Sequence, residues 1–203
     1  MLKTLTKFLI WVEISLFLAY FILLYPNIPL YIKQLKRWDM GLYSLVDTTS
    51  PEVQKFAEEA YKYNNVFPEY YIMKEIKYKS DVDNYWNIEY WATPVETIER
   101  RSGDCEDIAV LTKSVLDYLE ETYHKDYEAR LIDQGIHVYV ERNIYVNVKP
   151  DRPIYGAVPE EIVEEYKGLI GVIKSWFEDV PLWRWVVYFI VIKILFVLIM
   201  IWC

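Results

Sequence analysis

Two long apolar segments, one near each end of the chain, constrain its architecture more than any other feature. Residues 5–25 are interrupted only by Lys7 and Glu13, and residues 182–202 contain Lys193 well inside the apolar run. About 20 apolar residues are enough for a helix to cross the hydrocarbon core of a bilayer. We therefore expect an integral membrane protein with two spans, with the lipid bilayer as a partner and both termini on one side.

Each expected span carries one internal charge, and charges inside a membrane are costly. Glu13 and Lys193 lie at similar depth if the two helices run antiparallel. We predict that they form an intramembrane ion pair that holds the spans together. The alternatives are a protonated Glu13, a Lys193 side chain that reaches the interface, or pairing with a second copy.

The orientation of the spans has two conflicting indicators. Lys3 and Lys7 precede the first span, and residues 26–29 (Pro-Asn-Ile-Pro) stand where a signal peptide would have its cleavage site, so we expect an uncleaved anchor. Its signal-anchor character favours an extracytoplasmic domain, which we expect. The positive charges on the domain side favour the opposite. Those charges are Lys33, Lys36, Arg37, Lys174 and Arg184.

Composition excludes several classes of function. The formal net charge of −8 argues against nucleic acid as a partner, because nucleic-acid binding needs a basic surface. The two cysteines, Cys105 and Cys203, do not identify the redox compartment. The sequence has no cysteine or histidine cluster, so we expect no metal and no cofactor. It does not indicate the oligomeric state.

A central cysteine lies where the start of a helix is expected. Gly103 permits a sharp turn, Asp104 is a good N-cap, and Cys105 then falls on the first turn of a helix with apolar residues at helical spacing. The first N–H groups of a helix are unpaired and carry partial positive charge, which favours the reactive thiolate. Glu106 and Asp107 oppose that effect.

The expected partner of the thiol is a histidine in a strand-like segment. His137 opens an alternating run, and a three-residue loop at residues 141–143 would place the aliphatic side chains on one face. His137 would then lie directly opposite Asn147 on the other face. A base beside a thiol, held by a third group, is the arrangement of a Cys-His-Asn triad. The other histidine, His124, is expected on the surface.

These residues together resemble transglutaminase-like cysteine peptidase domains, over about residues 50–150. Asn147 departs from the pattern, since the family more often has Asp there. The resemblance implies an α+β fold, with a papain-like core in which the nucleophile helix packs on a short antiparallel sheet. The matching pieces are Ile76-Lys77-Tyr78 to Asp81, Trp91, Pro94–Ile98, Gly103–Asp107 and His137–Glu141.

The resemblance also implies thiol-dependent chemistry on amides. Cys105 would attack a polypeptide or amide substrate near the membrane, and the acyl group would pass to water or to an amine. A donor from residues 86–91 would help the Cys105 N–H stabilise the oxyanion. Trp86, Trp91 and Tyr139 are the expected substrate or oxyanion residues. The alternative is a catalytically inactive binding or scaffold module, since the family includes such members.

The remaining patterns divide the chain and predict local elements. Ser50 and Pro51 begin a helix with an apolar face, and a capping box begins another at Thr93. Residues 70–78 fit either a helix or a strand. The expected divisions are 1–26 (first transmembrane helix), 27–49 (connector), 50–158 (transglutaminase-like domain), 159–180 (amphipathic helix) and 181–203 (second transmembrane helix).

Overall fold

The computed structural model describes residues 2–133, 138–142 and 180–201. This part of the chain is α+β, as expected, with many helices and two small sheets. Its α-helices are α1 (Leu2–Ala19), α2 (Ile28–Met40), α3 (Pro51–Tyr63), α4 (Glu69–Glu75), α5 (Asp81–Tyr85), α6 (Pro94–Arg100), α7 (Cys105–Tyr123) and α8 (Leu182–Ile201). The strands are β1 (Lys77–Tyr78), β2 (Ser102–Gly103), β3 (Arg130–Asp133) and β4 (Val138–Glu141).

Helix α7 is the centre of the domain core. It packs against α3, α6 and β4. Its inner face follows the helical spacing seen in the sequence, and removing these side chains from water stabilises the fold. The buried members of that face are Val110, Leu111, Val115, Leu116 and Leu119. The core therefore holds the N-terminus of α7, where Cys105 lies, in a fixed place.

Helix α3 forms as the sequence predicts. Pro51 occupies its first position after Ser50, and Asn64 follows its last residue. The apolar face is buried and consists of Val53, Phe56, Ala57 and Ala60. Phe56, Ala57 and Ala60 belong to the domain core. The Ser50 hydroxyl donates to the Asp47 carboxylate rather than capping the helix.

The two sheets differ in direction. β1 runs parallel to β2, and β3 is antiparallel to β4, with Ile132 opposite Tyr139. Val138 and Val140 are buried while Tyr139 is half-buried, which confirms the alternation predicted for this strand. The strand expected beside it at residues 144–147 lies outside the described residues. β3, which the sequence analysis did not anticipate, pairs with β4 instead on its described edge.

The expected membrane spans are long apolar helices. Thr6–Leu24 and Leu182–Ile199 are each long and apolar enough to cross a membrane. The first begins in α1 and ends in a π-helical turn, Tyr20–Leu24. α2 occupies much of the expected connector. The expected amphipathic helix at 159–180 lies, except for its last residue, outside the part of the chain that the structure describes.

Candidate active site

Cys105 is the first residue of α7, as the sequence predicts. The chain reverses at Arg101, which follows α6 in the left-handed conformation with φ of 55°. β2 then leads to Asp104, which occupies the N-cap position without a hydrogen bond from its side chain to the helix. The sharp turn expected at Gly103 therefore lies two residues earlier, at Arg101.

Gly103 is needed for a different reason, which is close approach. A Cβ at this position would lie 2.6 Å from the Asp107 Cβ. Real Cβ atoms do not approach that closely, so any larger residue would push β2 away from the first turn of α7. The glycine thus lets the strand before the nucleophile pack directly against the helix that carries it.

The Cys105 side chain is half-buried, and its surroundings favour the neutral thiol over the reactive thiolate. Its Sγ donates to Glu106 Oε2 at 2.9 Å. Burial raises the pKa of the thiol well above its usual range, and the charge of Glu106 raises it further. Burial and the adjacent carboxylate therefore outweigh the favourable helix N-terminus in this form of the protein.

One contact brings β4 to the thiol. The backbone N–H of Val138 donates towards the Cys105 sulfur, and this hydrogen bond lowers the pKa of the thiol. Residue 138 is the first residue of β4. The start of this strand therefore meets the start of α7 at the sulfur. His137 and Asn147, the expected base and its orienting group, lie outside the described residues. Their roles stay predictions.

The segment from residue 86 to residue 92, called here the wall, passes beside the start of α7. Ala92 N–H donates to Asp107 Oδ1 at 2.6 Å, and Tyr90 N–H donates to the Asp81 carboxylate. The Trp91 indole Nε1 donates to Glu89 Oε1 at 2.7 Å. Carboxylates from α5 and α7 therefore hold the backbone of the wall in place.

Trp86 and Trp91 occupy different surroundings. Trp86 is 60% exposed, has φ of 67°, and its ring faces Trp183 at the start of α8. Trp91 is half-buried, and its backbone N–H donates to Gln34 Oε1 at 2.8 Å. Tyr139 lies on the half-buried face of β4. The structure brings Trp91 beside the acidic groups near Cys105 and places Trp86 at the junction with the apolar helices.

The wall is also fastened to the apolar helices. Ile88 N–H donates to Leu24 O at 2.8 Å. Asn27 and Asn87 exchange two hydrogen bonds, at 2.9 and 3.1 Å. The buried Arg184 guanidinium donates to Leu23 O at 2.9 Å and to Trp86 O at 2.7 Å. One end of the candidate site is therefore built directly on the junction of α1 and α8.

Sequence reasoning missed an acidic cluster beneath the thiol. Burial, followed by mutual repulsion, raises the pKa of four of its carboxyl groups, those of Asp81, Glu89, Asp104 and Asp107, well above their usual range. A signal was present in the sequence, since three acids follow Gly103 within four residues. What could not be seen was that Asp81 and Glu89 fold onto them. The members are Asp81, Glu89, Asp104, Glu106 and Asp107.

The structure does not bring Glu13 and Lys193 together. α1 meets α8 through Trp11, whose Nε1 donates to Ile192 O at 3.4 Å, and through Ser15, whose backbone oxygen accepts from Tyr188 at 3.4 Å. Successive helix residues are about 100° apart, so Glu13, midway between Trp11 and Ser15, faces away from α8. Both charged side chains are exposed. Their intramembrane pairing stays a prediction without support from these contacts.

One comparison with known proteins bears on the family of this chain. A family model described as a transglutaminase-like domain matches residues 42–148. Neither the comparison with curated proteins nor the one with solved structures found a match. The matched region contains Cys105, the wall and β4, and it begins inside the segment expected to be a connector. Since it covers more than half of the 203 residues, the chain belongs to the transglutaminase-like domain family.

Proposed function

We propose that this protein is a membrane-anchored enzyme that uses Cys105 as the nucleophile of a Cys-His-Asn triad. The observation that carries the proposal is the Val138 N–H at the Cys105 sulfur. His137 precedes Val138 by one peptide bond, so the sequence supplies a base beside the point where β4 meets α7. Asn147 would orient the imidazole from the next strand.

The reaction is acyl transfer from an amide. The sulfur attacks the carbonyl carbon while His137 takes the thiol proton, which it then gives to the departing amine as the C–N bond breaks. The resulting thioester is cleaved by water in a peptidase or amidase, or by an amine in a cross-linking enzyme. We propose a polypeptide or amide substrate near the membrane surface.

The oxyanion would be stabilised mainly by the Cys105 backbone N–H, because the first N–H groups of a helix lack intrahelical partners. Three N–H donors of the wall are already used, so the wall offers fewer oxyanion donors than the sequence suggested. The N–H groups of Ile88, Tyr90 and Trp91 already donate to Leu24 O, Asp81 and Gln34. Because these donors are already used, we assign the principal oxyanion donor to the start of α7.

Thiol alkylation tests the proposal. In a Cys203→Ser background only Cys105 can react with iodoacetamide. We expect His137→Ala to slow alkylation near pH 7 at least tenfold, because the thiol loses its base. His124→Ala removes the other histidine, which is exposed just after α7, and should leave the rate unchanged. Equal rates in all three proteins would contradict a catalytic role for His137.

A second candidate function is a non-catalytic binding or scaffold module. The observation that favours it is the Cys105 thiol donating to Glu106, with its pKa raised by burial. A thiol held in this way reacts slowly whether or not His137 acts as its base. Slow alkylation in both the parent and the His137→Ala protein, with no dependence on His137, would support this second function over the first.

For localisation we propose two spans with an extracytoplasmic domain. Lys62→Cys places a thiol at an exposed position on α3, away from the site. In the Cys203→Ser background, a membrane-impermeant maleimide should label it in intact cells. Labelling that appears only after lysis would put the domain in the cytoplasm and reverse the orientation.

A further inference from the structure

Helix α2 buries polar side chains and exposes apolar ones. Gln34 and Arg37 are buried, at 0% and 8% exposure. Three large apolar side chains on the other side of the helix are exposed, namely Ile28, Ile32 and Leu35, at 40%, 52% and 44%. Residues spaced by three and four positions share one face of a helix. This exposed face is called here the apolar stripe, and a contiguous apolar face of this kind marks an interaction surface.

The buried face of α2 holds the wall. Gln34 Oε1 accepts from the Trp91 N–H at 2.8 Å, and the Arg37 guanidinium donates to Trp91 O. Arg37 also pairs with Glu96 at 2.9 Å and lies 4.7 Å from the centroid of the Tyr90 ring. The apolar stripe cannot turn inward without breaking these contacts. Its exposure is therefore built into the fold.

The end of the first expected span lies beside α2. Residues 25–27 alone separate the end of the span from the start of this helix. The Tyr20 hydroxyl donates to the Tyr31 hydroxyl at 2.9 Å. The Tyr25 ring lies 4.7 Å from the Tyr31 ring and 6.3 Å from the Trp38 ring, measured between centroids. Because tyrosine and tryptophan are typical of the membrane–water boundary, the apolar stripe lies next to that boundary.

The charges and the size of the apolar stripe favour lipid over a protein partner. Lys33 and Lys36 are exposed beside it, and helices that lie on a membrane carry basic residues on their polar side. Asp39, one turn after Leu35, ends the apolar stripe. Three half-exposed side chains offer at most a few hundred Å², whereas a standard protein–protein interface buries about 800 Å² on each side. A second copy of the chain would therefore gain too little here.

We propose that the apolar stripe of α2 lies in the interfacial layer of the bilayer and is covered by lipid. The inference rests on the proposed membrane anchoring and not on the chemistry of Cys105. An amphipathic helix of this kind inserts its apolar face about 5–10 Å into the boundary between headgroups and acyl chains. Since the opposite face of α2 holds Trp91, the wall then lies about one helix diameter, roughly 10–12 Å, from the lipid.

Quenching of a fluorescent label by lipid tests the position of α2. The full-length Cys105→Ser/Cys203→Ser protein receives one new cysteine, Ile32→Cys or Leu35→Cys, which is labelled with bimane and reconstituted into phosphatidylcholine vesicles. A nitroxide on an early acyl-chain carbon should quench either label about threefold more than a label at Lys62→Cys, an exposed position on α3. A nitroxide near the end of the acyl chain should quench them less.

A label inside the span separates failure of this inference from failure of the anchoring. Phe17→Cys, at a position 64% exposed within the first span, should be quenched by the nitroxide near the chain end. If this holds while the labels at Ile32→Cys and Leu35→Cys are quenched no more than the one at Lys62→Cys, the inference is wrong and the anchoring stands. No quenching at Phe17→Cys would refute both.

A water-soluble quencher identifies what covers the apolar stripe if lipid does not. Strong quenching of the α2 labels by iodide would show that the stripe faces water. Resistance to both iodide and the nitroxide lipids would show that protein covers it, either a second copy or residues 159–180 of this chain. Either result would overturn the proposal. Because a protein without Cys105 forms no thioester, none of these outcomes depends on the proposed reaction.

Discussion

Two buried acidic sites in this domain are built in opposite ways. On the side of β4, Glu69 is 2% exposed and pairs with the Arg142 guanidinium. That guanidinium also lies 4.6 Å from the centroid of the Tyr127 ring and donates to Val66 O at 3.2 Å. Beneath the thiol, by contrast, Asp81, Asp104 and Asp107 are buried without any such partner among the described residues.

The Glu69–Arg142 pair joins parts of the fold and is called here the fastener, whereas the acidic cluster lies at the candidate site. A buried acid with a fixed guanidinium has its charge balanced, although Glu69 Oε2 has no hydrogen-bond partner, and the pair joins α4 to the end of β4. A group of buried acids without a counter-charge is costly to the fold unless its members take up protons. Removing a charge should therefore have opposite effects in the two places.

The largest expected effect is at the fastener. Arg142→Met leaves Glu69 buried without its partner and should lower the free energy of unfolding by about 3–5 kcal/mol. Denaturant unfolding in detergent measures it. The double variant Glu69→Leu/Arg142→Met buries no charge and should return to within about 1.5 kcal/mol of the parent. A loss below about 1 kcal/mol in the single variant would show that the pair is not a fastener.

Crowding at the other site should have a smaller effect. Gly103→Ala adds a methyl group 2.6 Å from the Asp107 Cβ and should lower the free energy of unfolding by about 1–3 kcal/mol. Gly41→Ala is the comparison, since a Cβ there meets nothing within 4 Å but must adopt φ of +82°. A Gly103→Ala protein as stable as the parent would mean that β2 and α7 can separate at no cost.

Local patterns made much of this fold predictable. The capping box at Thr93, the apolar face of α3 and the alternation of β4 depend on residues close in sequence. The place of Cys105 at the start of α7 follows from the same kind of signal. Short-range rules of helix capping and periodicity were sufficient for these features.

The contacts that define the wall could not be predicted in this way. Asn27 meets Asn87 across 60 residues, and Arg184 reaches Trp86 O across 98. Such pairs depend on how helices pack, and no local spacing encodes that. The same holds for Asp81 meeting Asp104 and Asp107.

A substitution beside the thiol sharpens the comparison through reactivity. Glu106→Gln removes the charge that, after burial, most raises the pKa of Cys105. The thiol should then ionise at lower pH, and alkylation at pH 7 should be about tenfold faster, as one pKa unit implies. The midpoint of the rate against pH should fall. Glu99→Gln, at an exposed position on α6, is the control and should change neither.

The smallest expected effect is a gain in stability. Burial and repulsion raise the pKa of Asp104 in the folded protein above its unfolded value of about 3.9. The folded state therefore keeps the Asp104 proton to a higher pH than the unfolded state does. The free energy of unfolding falls as pH rises from about 4 through the folded pKa. Asp104→Asn should remove part of this loss and be about 1 kcal/mol more stable at pH 8, the cost of one buried unpaired group.

Urea unfolding at pH 5 and pH 8 measures that gain, with the exposed Asp83→Asn as control. An Asp104→Asn protein that loses stability at both pH values would make this carboxyl a structural group like Glu69. The acidic cluster and the Glu69–Arg142 pair would then respond to the loss of a charge in the same direction, and the contrast between them would be wrong.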